Sequence, residues 1–573
     1  MTTIFNDPAE FCDDQLDGFV DLYSDRLRKV AGGVVRLPQG EPEVAVIVGG
    51  GSGHYPAFAG LVGPGFAAGA VVGNIFTSPS AAQVYSVAKA AHRGRGVILT
   101  FGNYAGDNMN FGIAAKRLND EGIDTRIVVV TDDIASAEEI DKRRGIAGDF
   151  TVFRAMGAAA AEGLDLDEVE RIGSSANART RSLGVAFSGC TMPGADEPLF
   201  SVPEGHLGLG LGIHGEPGIR DVELPTADGL AEMLVTPLLE DVPQDRGSRV
   251  GVIVNGLGTT KYEELFLLWS RIAPRLREAG LEIVDPEVGE LVTSLDMGGA
   301  SLTLFWLDEE LERLWTSDAY TPAYRKQAAP LQGMSSAEEA ADAEEREQAP
   351  ESSEAGRRAA GVVQDATVRI EQLLRDNEQR LGEIDAVAGD GDHGRGMVKG
   401  ISAARRAVDA AAAEGGASWT LRRGGQAWAE YAGGTSGVLW GAALESAGRE
   451  IDDAADGYSE DDVRRAVRSF AESIQQLGGA HRGDKTLLDA LLPFVDALCE
   501  EHAELPLQEA WTKAAVTAQE QAEATAELRP KVGRARPLAE KSVGTPDAGA
   551  TSMGLILVSL GETLGQTDAP AAN

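Results

Sequence analysis

Residues 44–54 read VAVIVGGGSGH and decide the fold of the first half of the chain. The five apolar residues at the start form a short continuous run of the kind found in a strand that is buried on both faces. The glycines that follow allow a tight turn at which the backbone can approach a ligand closely. The stretch predicts a parallel strand that ends at a binding turn, although a tight turn without a ligand explains the glycines equally well.

Three more runs have the same character, and each is followed by Gly, Asn or Asp. They are residues 96–101 (GVILTF), 126–130 (RIVVV) and 250–254 (VGVIV). Because helical stretches separate them, we predict parallel strands in an α/β region. Ligands of such sheets bind at the carboxyl ends of the strands, which is where these polar residues lie.

The composition changes after residue 328. Residues 329–360 are rich in Ala, Glu and Ser and carry almost no large apolar side chains, so we predict a linker without a core. Beyond it, apolar residues recur at three- and four-residue spacing, which is typical of amphipathic helices. We therefore predict an α/β region in 1–328, a linker in 329–360 and an all-α domain in 361–573.

Composition and charge exclude several functions. The chain has 573 residues and a formal net charge of −39, which repels nucleic-acid backbones and anionic lipid. No apolar run approaches the roughly 18 residues that span a bilayer. The three cysteines form no CxxC pair, so we expect neither disulfides nor structural zinc. We expect a cytoplasmic protein without nucleic-acid or membrane partners.

Residues 384–394, IDAVAGDGDHG, are the sharpest motif of the second half. Asp385, Asp390 and Asp392 lie close together, and the intervening glycines let their carboxylates converge. Convergent carboxylates without cysteine suit a hard cation, above all Mg²⁺ with phosphates. The alternative is a solvated acidic turn; an EF-hand loop, which ends in Glu, is absent.

Four histidines lie in glycine-rich turns, where local hydrogen bonds would explain any one of them alone: His54, His206, His214 and His393. Before His54, the backbone of Gly51, Ser52 and Gly53 can form a nest for an anion or an oxygen atom. No lysine follows, so this is not a P-loop. Asp107 follows the second strand and could accept a proton from a hydroxyl group, although capping of the next helix is the simpler explanation.

Glycine-rich turns also separate the predicted helices of the second half. They are GGTSG (433–437), GDKT (483–486), GRARP (533–537) and GTPDAG (544–549). Each alone reads as a helix connection. Together their amides and hydroxyls indicate one ligand mouth that can cradle phosphate oxygens.

The motifs GGGSGH, NYAGD, TSLDM and GIHGEPG resemble the sugar-binding domain of dihydroxyacetone kinases. DAVAGDGDHG, GGTSG and GDKTLLDAL resemble their nucleotide-binding domain, in the order of the fused, ATP-dependent members. The resemblance implies two α/β subdomains, a C-terminal eight-helix barrel, and a homodimer in which one chain's nucleotide domain covers the other's sugar site.

The resemblance also implies residue roles. His214 would trap the ketose carbonyl as a covalent hemiaminal, which selects ketoses over polyols. Asp107 is the candidate base and His54 its hydrogen-bonding partner, beside the turn of Gly51, Ser52 and Gly53. Asp385, Asp390 and Asp392 would hold two Mg²⁺ ions on the ATP phosphates. Nucleotide contacts are implied for His393, Gly434, Thr435, Ser436, Gly437, Gly483, Asp484, Arg534 and Asp547.

Two departures from the family pattern bear on the substrate. Tyr55 stands where the first motif has an acid, and Gly102 where many members have a lysine that touches the sugar. Loss of the lysine frees space, so we hypothesise that erythrulose, a four-carbon ketose, is accepted beside dihydroxyacetone.

Two other functions stay open at this point. One is a phosphotransferase-system component with resident ADP, against which the fusion of both domains argues. The other is a non-catalytic ketose-binding regulator, against which the intact site residues argue. A side activity that forms cyclic FMN from FAD also stays open.

Overall fold

The structure, a computed structural model, describes residues 2–216, 218–327, 348–432, 434–532 and 539–566. The chain forms two compact units. The first, up to residue 327, contains two β-sheets with helices, and the second, from residue 348 onwards, is helical. The α-helices of the first unit are α1 (Phe11–Leu22), α2 (Ala81–Ala91), α3 (Ala105–Asp120), α4 (Gly148–Ala161), α5 (Leu166–Ala178), α6 (Ala227–Glu240), α7 (Tyr262–Glu278) and α8 (Glu309–Thr316).

Six strands form the first sheet, in the order β1-β2-β4-β3-β5-β6. They are β1 (Leu27–Val30), β2 (Gly33–Arg36), β3 (Ala45–Ser52), β4 (Gly69–Ile75), β5 (Val97–Gly102) and β6 (Thr125–Val130). Strands β4, β3, β5 and β6 are parallel, whereas β2 is antiparallel to both of its neighbours. The first three runs predicted from the sequence are confirmed as β3, β5 and β6, whose carboxyl ends lie at one edge.

The second sheet has the order β11-β10-β13-β7-β8-β9, with β12 also paired to β10. Its strands are β7 (Thr180–Ala186), β8 (His206–Leu209), β9 (Arg220–Glu223), β10 (Arg249–Gly256), β11 (Glu282–Ile283), β12 (Glu287–Gly289) and β13 (Gly299–Trp306). Two short strands, β14 (Ala319–Tyr320) and β15 (Arg325–Lys326), form a separate hairpin.

The orientation predicted for residues 250–254 is wrong. The run is a strand, β10, but it belongs to the second sheet and is antiparallel to its long neighbour β13. Of the described strands, only the short β11 and β12 are parallel to it. Because β10 is buried on both faces, its side chains form a continuous apolar run whatever the direction of its neighbours.

Helix α4 joins the two sheets. It is buried from Gly148 to Ala160 and packs against β3, β5 and β6 on one side and β7 and β13 on the other. Small residues fill its second half because other segments approach closely: a Cβ at Gly157 would overlap the backbone of Phe66. The sheets with their helices are the two α/β subdomains that the resemblance implied.

The helices of the second unit are α9 (Glu354–Asp376), α10 (Glu378–Ala386), α11 (His393–Ala412), α12 (Ala417–Ala432), α13 (Gly434–Arg449), α14 (Glu460–Gly478), α15 (Leu488–Asp496), α16 (Leu507–Ala524), α17 (Ala539–Ser542) and α18 (Ala548–Gln566). Among these described helices, α9, α11, α12, α13, α14, α15, α16 and α18 each pack against the next, and α18 returns to α9. This closed ring agrees with the barrel that the resemblance implied.

Glycines set the closest approach in the ring. A Cβ at Gly425 in α12 would lie 2.7 Å from the carbonyl oxygen of Gly441 in α13, so neither helix can carry a larger residue there without moving. Next to this contact, the indoles of Trp428 and Trp440 stack with centroids 4.9 Å apart.

Helix α9 begins inside the predicted linker. The hydroxyl of Ser353 accepts the N–H of Gly356 at 2.9 Å and caps the helix, so residues 354–360 are helical. Residues 329–347 of the predicted linker lie outside the described residues. Of the helices that the structure describes, none is both long and apolar enough to cross a bilayer.

Candidate active site

His54 lies just beyond the end of β3 and is buried. Its Nδ1 is 2.7 Å from the carbonyl oxygen of Thr293, in the loop before β13. Because a carbonyl oxygen only accepts, Nδ1 carries the proton and Nε2 is left as an acceptor. The amide of Leu295 donates to Gly53 O at 2.7 Å and the amide of Thr293 to His54 O at 3.2 Å, so backbone bonds join this turn to the second sheet.

The glycines before His54 make room for Phe76. A Cβ at Gly51 would lie 2.6 Å from the amide nitrogen of Thr77, and Gly53 has φ +105° with its Cβ position 2.8 Å from the Phe76 ring. The ring of Phe76 stacks on the imidazole of His54 with centroids 5.1 Å apart. The glycine run therefore has a packing role, while a nest at Gly51, Ser52 and Gly53 stays a prediction.

His214 lies in the turn between β8 and β9 and meets His54. Its Nε2 is 3.0 Å from Nε2 of His54, so the structure brings together two histidines that the sequence singled out separately. Glu216 holds His214 twice, because its carboxylate accepts from Nδ1 at 2.8 Å and from the His214 amide at 3.0 Å. The rings of Phe76 and Tyr104 contact the imidazole edge-on, at centroid distances of 5.0 and 4.9 Å.

Burial and charge set the protonation of this group. Burial, followed by the charge of His214, lowers the pKa of His54 to about 3, so its ring is neutral. Burial alone would raise the pKa of Glu216, but its hydrogen bond with His214 and the charge of His214 outweigh this effect and lower the pKa to about 2. A neutral His54 thus faces a His214 ring that is paired with an ionised carboxylate.

Asp107 does not cap helix α3, contrary to the simpler explanation of its position. Tyr104 is the N-cap residue and makes no side-chain cap bond, while Asp107 lies in the first turn and is buried. Its Oδ1 accepts from the hydroxyl of Ser78 at 2.8 Å. Burial raises the pKa of Asp107, although the Ser78 bond and His214 oppose the rise. Asp107 therefore has the raised basicity that suits a general base.

Close packing surrounds Gly102. A Cβ at Gly102 would lie 3.1 Å from Cε2 of Tyr104, 3.1 Å from Gly145 O and 3.3 Å from Gly145 Cα. The hydroxyl of Tyr104 donates to Gly145 O at 3.1 Å, which holds the ring in that position. The immediate surroundings of Gly102 are therefore closely packed, while the free space expected from the missing lysine side chain stays a prediction. Tyr55 packs instead against Phe19 of α1, with centroids 6.2 Å apart.

His206 does not join the other histidines. It is exposed at the start of β8, and its Nδ1 is 2.9 Å from Glu204 O. A local hydrogen bond, which the sequence left as the alternative for any one of the four histidines, explains it.

In the second unit, Asp385, Asp390 and Asp392 converge. One carboxylate oxygen from each lies within 4.8 Å of the others. Oδ2 of Asp385 is buried without a hydrogen-bond partner among the described residues. A Cβ at Gly389 would lie 2.5 Å from Asp385 Oδ1, so only glycine lets the chain curl around this carboxylate. A buried acceptor that lacks a donor, beside two further carboxylates, fits a hard divalent cation.

Several of the other predicted nucleotide contacts lie in the first turns of helices. His393 is the first residue of α11, and its Nε2 is 3.0 Å from Oγ of Ser552 in α18. Gly434, Thr435, Ser436 and Gly437 form the first turn of α13. Arg534 lies outside the described residues.

Two of these predicted residues also have internal partners. The Asp484 carboxylate accepts from the amide of His481 at 2.8 Å and pairs with Lys531 at 3.4 Å. The Asp547 carboxylate accepts from the amide of Ala550 at 2.7 Å at the start of α18. Both bonds order their turns, and Gly483 precedes Asp484 with φ +88°. Their contact with a nucleotide stays a prediction.

Sequence reasoning missed several residues around His54 and His214. Glu216 carried a signal, since it lies two positions after His214 on the same glycine-rich turn. Thr293 also carried one, since it begins the motif TSLDM, whereas Phe76 and Ser78 carried none, because their segments are distant in the chain from the residues that they contact.

The fold and the site define an enzyme of two parts. One unit holds a buried aspartate beside two facing histidines, and the other holds a carboxylate cluster suited to the cation that accompanies phosphates. This combination is that of a phosphate-transferring enzyme with separate acceptor and nucleotide domains.

The comparisons with known proteins agree with this class. The family model described as "Dak1 domain" matches residues 17–323, and the model described as "DAK2 domain" matches residues 387–562. The D-erythrulose kinase of Mycolicibacterium smegmatis is 57% identical over 565 residues, which are 97% of each chain. The L-erythrulose kinase of Pectobacterium atrosepticum is 53% identical over 97% of this chain and 95% of that protein.

A solved structure agrees as well. The dihydroxyacetone kinase from C. freundii in complex with AMP-PNP and Mg²⁺ aligns over 98% of this chain and 99% of that one, with a TM-score of 0.56 and 28% identity. The chain therefore belongs to the dihydroxyacetone kinase (DAK) family, within the erythrulose kinase subgroup, and is a kinase that phosphorylates a hydroxyl group.

Gly102→Ala should disturb the position of Tyr104. The new methyl group has to displace the Tyr104 ring or the Gly145 backbone, so we expect a loss of about 1–3 kcal/mol in unfolding free energy. We also expect a fall of at least about tenfold in kinase activity, because Tyr104 contacts His214. Urea unfolding and steady-state kinetics measure both effects.

Gly112→Ala is the matched control. Gly112 lies inside α3 with nothing within 4 Å of its Cβ position, so alanine should stabilise the helix by about 0.5–1 kcal/mol. If Gly102→Ala behaves like this control, Gly102 does not hold the close contact described above.

Two further acidic residues are buried nearby: Asp132, just after β6, and Asp149, in the first turn of α4. Asp132 accepts the amides of Ile146 and Gly148 at 2.9 and 2.7 Å and so ties the end of β6 to the start of α4. Asp149 has an Oδ1 atom without a partner among the described residues. Burial, together with the charges of Asp132 and Asp107, raises the pKa of Asp149 well above its usual value. Asp149 therefore keeps its proton to a higher pH in the folded protein than an exposed aspartate does.

Asp149→Asn should reduce the loss of stability at higher pH. An acid with a raised pKa keeps its proton in the folded chain after the unfolded chain has released it, so stability falls as pH rises above the unfolded value. Between the unfolded pKa of an aspartate, about 3.9, and the raised pKa in the folded chain, this acid lowers the free energy of unfolding by up to about 1.4 kcal/mol per pH unit. Urea unfolding at two pH values above the unfolded pKa should show a smaller fall in the variant.

Asp120→Asn provides the control, because Asp120 is exposed at the end of α3. It should leave the difference between the two pH values unchanged. The same difference in wild type and Asp149→Asn would mean that Asp149 is ionised.

Proposed function

We propose that this chain is an ATP-dependent ketose kinase that phosphorylates a primary hydroxyl of erythrulose, and of dihydroxyacetone as a smaller substrate. The observation that carries the proposal is the approach of His214 Nε2 to His54 Nε2 at 3.0 Å, with Nδ1 of His214 bound to Glu216. This arrangement presents one ring nitrogen to a substrate and fixes the other.

In the proposed capture step, His214 forms a hemiaminal. Glu216 holds a proton on Nδ1, and Nε2 of His54 is an acceptor, so one proton lies between the two Nε2 atoms before substrate binds. His54 Nε2 accepts this proton, the electron pair left on His214 Nε2 forms a bond to the carbonyl carbon, and the π pair of the carbonyl moves to its oxygen. That oxygen then takes the proton from His54, whose ring is neutral again, and the positive charge stays on the His214 ring beside Glu216.

Asp107 is the proposed base for the hydroxyl that is phosphorylated. Its buried carboxylate is oriented by Ser78 and has a raised pKa, so it can accept a proton as the oxygen attacks the phosphorus atom. His54 and the turn of Gly51, Ser52 and Gly53 lie around the substrate in this proposal.

Asp385, Asp390 and Asp392 would bind two Mg²⁺ ions with ATP. When bound, the ions neutralise charge on the transferred phosphate. The turn of α13, with Gly434, Thr435, Ser436 and Gly437, supplies amides and hydroxyls for phosphate oxygens, and His393, Gly483, Asp484, Arg534 and Asp547 complete the proposed nucleotide contacts.

Erythrulose is favoured because two relatives at 57% and 53% identity over nearly the whole chain are a D- and an L-erythrulose kinase. The presence of both domains in one chain favours an ATP-dependent enzyme over a phosphotransferase-system component. The retention of both sets of site residues favours it over a non-catalytic regulator. Residues 1–328 would be the ketose-binding domain and 361–573 the nucleotide-binding domain, and a homodimer is proposed from the family resemblance alone.

His214→Ala should lose the discrimination between ketoses and polyols. Without the nitrogen nucleophile no carbonyl can be captured, so kcat/KM for D- or L-erythrulose and for dihydroxyacetone should fall by about a hundredfold or more, while glycerol stays a poor substrate. ADP release with ATP, Mg²⁺ and each acceptor, without added proteins, measures this. His206→Ala is the matched control, because His206 is an exposed histidine on a similar turn.

Three results would count against the proposal. Ketose preference that survives in His214→Ala argues against covalent capture. Turnover of dihydroxyacetone with neither erythrulose enantiomer removes erythrulose as substrate. A requirement for partner proteins returns the phosphotransferase-system alternative.

Asp385→Asn should weaken the response to Mg²⁺. Asparagine has nearly the same shape but is a neutral and weaker ligand, so we expect the Mg²⁺ concentration for half-maximal activity to rise by about tenfold or more. Titration of activity with Mg²⁺ measures this, and the thermal stability of the metal-free protein should not fall, because Oδ2 has no partner to lose. Asp376→Asn at the end of α9 is the control, and equal Mg²⁺ responses in both variants would contradict a metal site at Asp385.

A further inference from the structure

Arg144 lies beside Glu216, near the carboxylate oxygen that accepts from the His214 amide. Its Nη1 is 3.8 Å from Glu216 Oε2, while Glu216 Oε1 bonds to Nδ1 of His214. Arg144 is itself held by Asp133, which follows β6: Nε lies 3.0 Å from Asp133 Oδ2. A chain of contacts thus runs from the end of β6 through Arg144 and Glu216 to the imidazole.

Gly212 opens the path for this contact. A Cβ at this position would overlap the Glu216 carboxylate and would lie 2.6 Å from Nη1 of Arg144. The side chains of Arg144 and Asp133 are 14% and 3% exposed, so their charges are only weakly screened. The Gly212 backbone also bonds to this turn, since its amide donates to Glu216 O at 3.0 Å.

We propose that Arg144 is a positioning residue that acts on His214 through Glu216. It holds one carboxylate oxygen so that the other keeps the proton of His214 on Nδ1, and its positive charge offsets part of the negative charge that Glu216 exerts on the ring. The inference rests on the proposed function, because it matters only if His214 captures the ketose.

The charged and titratable groups around His214 come from several elements. They are Glu216 on its own turn, His54 after β3, Tyr104 and Asp107 at the start of α3, and the pair of Arg144 and Asp133. Burial raises the pKa of Asp133 to about 6, against the pull of Arg144. A test therefore has to distinguish the effect of removing Arg144 from the effect of leaving Asp133 without its partner.

Removal of Arg144 should keep a proton on the imidazole pair to higher pH. Glu216 then acts on His214 with its full negative charge, which stabilises the charged ring. Since capture uses the proton between the histidines, ketose affinity falls above the pH at which the pair loses it. The basic limb of the pH profile of 1/KM for ketose should move up by roughly one pH unit in Arg144→Gln.

The loss of orientation has a second effect. At neutral pH, KM for erythrulose should rise by about tenfold in Arg144→Gln, while kcat changes by less than about threefold, because the phosphate-transfer groups are untouched. Arg144→Lys keeps the charge and should retain the wild-type basic limb. The double variant with Asp133→Asn leaves no unpaired buried carboxylate and should show the same shift as Arg144→Gln.

Arg143→Gln is the matched control. Arg143 is the preceding residue, is buried and pairs with Asp241 instead of Glu216. If the single variant Arg144→Gln does not fold, the double variant is measured alone. The inference is supported if the basic limb of the 1/KM profile moves up in the double variant and does not move in Arg143→Gln. It is overturned if that limb stays in place in the folded, full-length double variant.

Failure of this inference can be told from failure of the proposed function. If His214→Ala loses ketose preference while the Arg144 variants keep the wild-type limb and KM, only the role of Arg144 is wrong. If His214→Ala keeps ketose preference, covalent capture is wrong, and the inference falls with it.

Discussion

The hydrogen bond from Nδ1–H of His54 to the carbonyl of Thr293 is the contact on which the candidate active site depends. It joins the end of β3 to the loop before β13, two segments of different sheets that are 239 positions apart. Because the carbonyl can only accept, the bond fixes the tautomer and turns the bare Nε2 towards His214. Helix α4, buried between the sheets, holds them at the separation that this bond requires.

Burial gives the site its electrostatic character. It lowers the pKa of His54 and raises those of Asp107 and Asp149, since a low-dielectric surrounding disfavours charge of either sign. Glu216 escapes because two hydrogen bonds with His214 favour its ionised form. The negative charge of the site thus lies on the Glu216 carboxylate, and the hydrogen bonds around it determine which ring nitrogens carry protons.

The sequence predicted what is local and missed what joins distant segments. Strands β3, β5 and β6 and the convergence of Asp385, Asp390 and Asp392 follow from runs and spacings within a few residues. The direction of β10 relative to its neighbours could not be predicted, because a strand buried on both faces has the same continuous apolar sequence in parallel and antiparallel pairs. The contact between His54 and His214 was missed because topology, and not spacing, brings residues 160 positions apart together. Asp107 illustrates the same limit, since its partner Ser78 comes from a different loop.

Two glycines of this site lack a Cβ and thereby let other groups come close. Gly212 admits the contact of Arg144 with Glu216, and Gly102 admits the Tyr104 ring and the Gly145 backbone. At Gly102 this changes the argument about substrate. Gly102 stands in the place of the lysine of the family pattern and packs against Tyr104 of the NYAGD motif, which is anchored through its hydroxyl to Gly145 and contacts His214 with its ring edge. A preference for a four-carbon ketose would then come from the loss of a hydrated cation beside this ring edge, and not only from added room.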